Sequence, residues 1–146
     1  MKFRILLALT VALAPSAALA GPAADAVEFF YRNIGAETDP GNRDRFTGAA
    51  RVYPDENDRV WAETEEACLG FGLTVDGQDF DEAEIRRTLE LMEDREGSEA
   101  LVTASFSLFG EPRSIEWSLI EEDGRWKVDD IVSNTGGWRM SEFTCG

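Results

Sequence analysis

The sequence predicts an α+β domain in which helices from the first half of the chain pack on one face of an antiparallel sheet built from the second half. Three observations carry that expectation. Apolar and polar side chains alternate from Leu101 to Ser133, Asp123-Gly124 has the composition of a two-residue hairpin turn, and apolar residues between Pro22 and Ile34 recur at helical spacing.

Strands are expected at 84–92, 101–109, 113–122 and 125–133. Val102, Ala104, Phe106 and Leu108 share a face of the second, and Ile115, Trp117 and Leu119 share a face of the third. In the fourth, Trp126, Val128 and Val132 share a face with one charged intruder, Asp130. A one-residue slip would send a whole apolar set to solvent, so each turn must hold an even number of residues. Pairing Leu119 with Val128 and Glu121 with Trp126 leaves Asp123-Gly124 as a type I′ turn, and the same register sets Trp117 opposite Asp130. Gly110-Glu111-Pro112-Arg113 is the earlier connection, with Pro112 at a strand entrance where it has no ladder donor to lose. Residues 84–92 carry two signals: Ile85, Leu89 and Met92 fit a helical period, whereas Ile85, Leu89 and Leu91 share parity. The strand reading extends the apolar face, pairing Leu91 with Val102 and Leu89 with Ala104 across Arg95-Glu96-Gly97-Ser98.

Residues 1–20 read as a secretory signal peptide. Lys2 and Arg4 precede an apolar run from Ile5 to Ala14, and Ala18-Leu19-Ala20 is a small-residue cleavage pattern. The run is shorter than the roughly 20 residues of a membrane span. The expected location is therefore periplasmic or secreted, with residues 21–146 as one domain. Of 14 basic and 29 acidic residues, Lys2 and Arg4 leave with the leader, which takes the net charge from −15 to −17. That balance argues against nucleic acid or an anionic membrane as partner and favours a solvated surface or a basic protein. Cys68 and Cys145 are the two cysteines, so a single intramolecular pairing exists, and an oxidising compartment makes a disulfide the expected state.

Pro22 to Ile34 reads as an amphipathic helix, with Pro22 in its first turn, Asp25 complementing the dipole, and Val27, Phe30, Tyr31 and Ile34 forming the stripe that meets the sheet. Residues 35–44 read as loop. Arg45 to Tyr53 is a candidate short helix and Pro54 to Leu69 a longer one, on which Val60, Trp61, Thr64, Ala67 and Cys68 share a face before Gly70 and Gly72 end it. Residues 73–84 form an acidic loop whose spacing does not match an EF-hand, and the default reading is a solvated loop.

A helix carrying Phe29-Phe30-Tyr31, further short helices, the loop V-D-G-Q-D-F-D at 75–81 and the run W-S-L-I-E-E-D-G-R-W-K-V-D-D-I at 117–131 together resemble the nuclear-transport-factor-2-like superfamily. Within it the chain is similar to an uncharacterised secreted bacterial family, domain of unknown function 3828, over most of residues 27–133. The resemblance implies a strongly curved sheet wrapped on helices into a cystatin-like cone, with a cavity between the concave face and the first helix. It implies no activity of its own.

The chain has no histidine, which removes the commonest general base and metal ligand, and its two cysteines cannot form a thiolate cage. No cofactor or metal is expected. Asp130 is the acid that the predicted register places among apolar residues. As a desolvated carboxylate it is the candidate base of an isomerase, cyclase or dehydratase reaction, with Tyr31 and Arg87 assisting. The same residues with Trp117 would form the floor of a ligand pocket. The competing reading has Asp130 satisfied by backbone or an arginine, and Tyr31, Trp117 and Trp126 as plain core. A non-catalytic domain that binds a protein partner or a small apolar ligand is favoured over the enzyme, since there is one candidate acid and no histidine. A structural or stress-related envelope protein is the third reading, and homodimerisation through the polar sheet face is a further expected mode of association.

Overall fold

The computed structural model describes residues 20–145. The signal-peptide reading falls, apart from Ala20, outside the described residues. Three helices, α1 (Pro22–Arg32), α2 (Val52–Thr64) and α3 (Glu82–Thr88), accompany five strands: β1 (Glu90–Glu96), β2 (Glu99–Leu108), β3 (Glu111–Glu122), β4 (Arg125–Ser133) and β5 (Trp138–Arg139). The strands form one antiparallel sheet in the order β1-β2-β3-β4-β5. Helix α1 lies against β1, β2 and β4 and α3 against β2, while α2 packs on short 3₁₀ turns at 36–38, 40–45, 49–51 and 140–142. This is the predicted α+β class. Among the described residues, no helix is long and apolar enough to cross a membrane.

The alternation of β2 and β3 is expressed as predicted, with Val102, Ala104, Phe106, Leu108, Ile115, Trp117 and Leu119 all buried on the helix side. Their connection is shorter than expected. Phe109 and Gly110 both adopt positive φ, and β3 begins at Glu111, so Pro112 pairs with Ser107 inside the ladder. Both loop lengths are even, which is why the faces survive the change. Glu84 of α3 braces this turn by accepting hydrogen bonds from the Phe109 and Gly110 amides at 2.6 and 2.8 Å.

The stretch 84–92 is neither all strand nor all helix. Helix α3 ends at Thr88, capped at its start by the Asp81 carboxylate, and β1 begins two residues later. Leu91 consequently meets Ala104, and Glu93 meets Val102, a shift of two from the predicted register that preserves sidedness. Leu89 lies outside the strand. Glu93 then accepts a 2.8 Å hydrogen bond from the Ala24 amide at the start of α1, supplying the cap that Gly21 lacks. A Cβ on Gly21 would lie 2.6 Å from that carboxylate, so glycine is the residue that lets it approach.

Helix α2 turns a different face inward from the one predicted. Tyr53, Pro54 and Asn57 are buried, whereas Trp61 and Thr64 are exposed, and the helix stops at Glu65 in the left-handed region rather than running on to Leu69. The acidic loop is also more structural than expected. Asp76 accepts hydrogen bonds from Trp138 Nε1 and Ser133 Oγ, both at 2.6 Å, tying the loop to the end of the sheet.

Cys68 and Cys145 form the expected disulfide, with Cα atoms 5.3 Å apart and a sequence separation of 77. Beside it Phe143 packs on Tyr53, Phe71 and Trp138, with ring centroids 5.5–6.2 Å apart. Cross-linking a loop of this length contributes about 4 kcal/mol in the chain-entropy account. Reduction, or Cys68→Ser with Cys145→Ser, is therefore expected to lower Tm by about 10 °C or more, read by circular dichroism. An unchanged Tm would show that the aromatic cluster alone holds the C-terminal segment.

Candidate functional site

The predicted pocket floor is not assembled. A bulge in β4 falls where Ser118 pairs with Asp130 and Leu119 with Val128, leaving Asp129 as the extra residue. Beyond it Trp117 faces Ile131, not Asp130, and Ile131 is fully buried on the helix side. The physical reason is the sequence V-D-D-I. Strict alternation would set Asp130 in the apolar core and turn Ile131 away from it; one inserted residue buries Ile131 instead and moves Asp130, still only 9% exposed, to where polar donors meet it.

Asp130 instead packs against the C-terminal segment. Its Oδ1 accepts from the Ile131 and Ser141 amides at 2.9 and 3.1 Å, and its Oδ2 accepts from Arg139 and Ser141 Oγ, both at 2.8 Å. The ion pair raises the Arg139 pKa above its ordinary value, first through this hydrogen bond and then through the charge of Asp130. Four donors satisfy the carboxylate. Arg87 is exposed on α3, away from the role predicted for it as the sheet partner of Asp130.

Tyr31 and Trp117 do come together. Trp117 Nε1 donates a 3.3 Å hydrogen bond to Tyr31 Oη, and Phe30 stacks on Trp117 at 5.1 Å. Phe30 and Tyr31 are 1% exposed and Trp117 is wholly buried. Between α1 and the sheet, where the enzyme and small-ligand readings require a pocket, these rings pack on one another.

Sequence reasoning missed Glu37, which sits in a stretch that reads as plain loop. It is 3% exposed, and its Oε1 accepts from the Thr74 amide at 3.3 Å; among the described residues its Oε2 and the Thr74 hydroxyl have no hydrogen-bond partner. Burial, reinforced by the nearby Glu37 charge, pushes the Tyr53 hydroxyl up to about 12. Burial raises Tyr31 further still, opposed by the Trp117 hydrogen bond.

Among the described residues several hollows open to solvent, and two bear on recognition. One, of about 380 Å³, lies on the sheet face turned away from the helices, where Asp94, Glu96, Glu99 and Asp129 surround Leu101, Ser118 and Ile120. Among the described residues, none of the four carboxylates forms an ion pair. The other, of about 420 Å³, is an apolar groove beside α2. Among the described residues there is no cluster suited to a metal ion.

No protein-family model and no curated protein sequence matches the chain. Among solved structures, a chain of the selenomethionine form of the type VI effector-immunity complex Tae3-Tai3 from Ralstonia pickettii is similar with a TM-score of 0.54 at 18% identity, covering 78% of this chain and 97% of that one. The native form of the complex gives 0.55 at 18% identity, covering 86% and 99%. At this identity the likeness is one of fold.

Two outcomes follow from the buried polar groups. Both tyrosines have folded pKa values above the ordinary value of 10, so the stability they contribute is whole below pH 10 and lost as pH rises towards 12 and beyond. The urea midpoint should fall above pH 10, and fall less steeply in a Tyr31→Phe/Tyr53→Phe variant; identical slopes would refute the assignment. Asp130→Ala should cost about 2 kcal/mol in urea unfolding at pH 7, because backbone and hydroxyl donors lose their acceptor, and a change below about 0.5 kcal/mol would refute a structural role.

Proposed function

We propose that this protein is a non-catalytic domain of the periplasm or secreted space that binds a basic protein partner through the outer face of its sheet. The observation that carries the reading is the outer hollow, where Asp94, Glu96, Glu99 and Asp129 ring Leu101 and Ile120 without a cation among the described residues. Asp129 accepts from Thr47 Oγ1 at 2.7 Å but, like the other three, meets no cation among the described residues. Carboxylates without a cation around apolar side chains suit lysine and arginine, whose aliphatic stems cover Leu101 and Ile120 while their charged heads meet the acids. A net charge near −17 after leader removal steers such a partner and repels a second copy of the chain.

The aromatic packing between α1 and the sheet supports binding of a macromolecule over turnover of a small substrate. The fold shared with a chain of an effector-immunity complex supports the same reading, in which the domain masks its partner by contact. The leader pattern and the disulfide support the location. The helix bearing Phe29-Phe30-Tyr31, packed on the D-G-x-W meander, supports a nuclear-transport-factor-2-like assignment.

Native purification at about 0.05 M salt should retain a basic protein in near-stoichiometric amount and lose it by about 0.5 M, as screening shortens the reach of the carboxylates. Asp94→Lys with Glu99→Lys should abolish retention without changing Tm. Retention that ignores both salt and this charge reversal would overturn the reading.

A further inference from the structure

We propose that the groove beside α2 is a second, preformed contact that receives one large apolar side chain from a positively charged segment of a protein partner. The inference rests on the protein-binding reading and adds to it a place and an anchor chemistry. Its lining comes from three separate segments: Pro40 from a 3₁₀ turn, Tyr53 and Trp61 from α2, and Leu69, Phe71 and Leu73 from the stretch that follows.

Trp61 is 54% exposed at this groove. It contributes little to the fold at that exposure, and tryptophan at the edge of an apolar recess is the residue type that dominates protein contacts when a partner desolvates it. A volume of about 420 Å³ holds one aromatic or long aliphatic side chain with room to spare.

The walls are held by polar ties that the core does not need. Arg43 donates to the Glu37, Thr38, Asp39 and Pro54 carbonyls and pairs with Asp58 at 2.6 Å, joining the 3₁₀ wall to α2. Asn57, itself in the lining, accepts from the Cys68 amide at 2.9 Å, and the disulfide anchors Cys68. A recess fixed before binding loses little conformational freedom on binding, which favours a defined occupant.

Charge selects the occupant. From Asp55 to Glu66 the chain carries Asp55, Glu56, Asp58, Glu63, Glu65 and Glu66 against Arg59, with Arg43 meeting Asp55 and Asp58 from the 3₁₀ turn. Among the described residues, Glu65 and Glu66 meet no cation. They directly precede Ala67, which lines the groove, and an apolar anchor flanked by lysine or arginine matches this acidic stretch. An acidic segment, or a second copy of this chain, brings like charge against it.

The test uses the full secreted chain and fluorescein-labelled peptides with a central Phe flanked by lysines, read by anisotropy at low salt. The expected result is saturable binding about tenfold tighter than that of the same peptide with Ala for Phe, and no binding when Glu replaces Lys. Trp61→Ala and Leu69→Asp should each weaken the Phe peptide about tenfold with Tm held within error for the exposed Trp61 position. Asp94→Lys with Glu99→Lys should leave it unchanged. Equal binding of the Phe and Ala peptides, or binding untouched by Trp61→Ala, overturns the groove. So does a wild-type dimer in sedimentation that Trp61→Ala converts to monomer, since the occupant would then be a second copy. Partner retention that survives Trp61→Ala but not the outer-face reversal sinks this inference alone, whereas retention that survives the outer-face reversal but is lost in Trp61→Ala sinks the outer-face reading alone.

Discussion

The bulge at Asp129 is the constraint on which the rest of the sheet depends. Val128 and Ile131 both point into the core although they are three positions apart, and a regular strand would put them on opposite faces. Inserting one residue buries an isoleucine, favourable by about 2–3 kcal/mol, and spares the chain an apolar burial of Asp130 that costs at least as much. Everything downstream follows from the corrected phase. Trp117 gains Ile131 as its neighbour across the ladder, Ser133 reaches Asp76, and Asp130 is turned to where Arg139 and Ser141 bind it.

The carboxylates divide into two groups with different work. Asp76, Asp81, Glu84, Glu93 and Asp130 accept hydrogen bonds from backbone or buried side-chain donors and stitch loops, helix starts and turns together. Such bonds to ionised acceptors are stronger than neutral ones, so an acidic protein obtains cohesion from part of its own charge. Others, such as Asp94, Glu96 and Glu99 on the outer sheet face and Glu65 and Glu66 after α2, meet solvent, and this excess is what a basic partner would neutralise. Charge composition thus bears on both stability and recognition, through different residues.

Strands β2 to β4, the Asp123-Gly124 turn, the burial of Val27, Phe30 and Tyr31 on α1 and the disulfide were legible because each rests on short-range periodicity, turn chemistry or a pairing with one solution. Register was legible only modulo two. Parity restricts turns to even lengths without choosing between Phe109-Gly110 and a longer loop, and it cannot see a bulge. The signal for the bulge was present in V-D-D-I, where an apolar residue stands one position late. The inward face of α2 was misread because Trp61 has the hydrophobicity of a core residue, and hydrophobicity alone does not separate burial from a binding edge.

Sequence alone determined the α+β class, the antiparallel meander, the acidic character and the cysteine pair, since these depend on residue type and local spacing. Tertiary structure decided which surroundings Asp130 meets, that Glu37 is buried, that aromatic rings pack between α1 and the sheet, and that Trp61 borders an open groove. Those outcomes turn on contacts between segments far apart in the chain, where competition for burial, and not local preference, sets the position of each side chain.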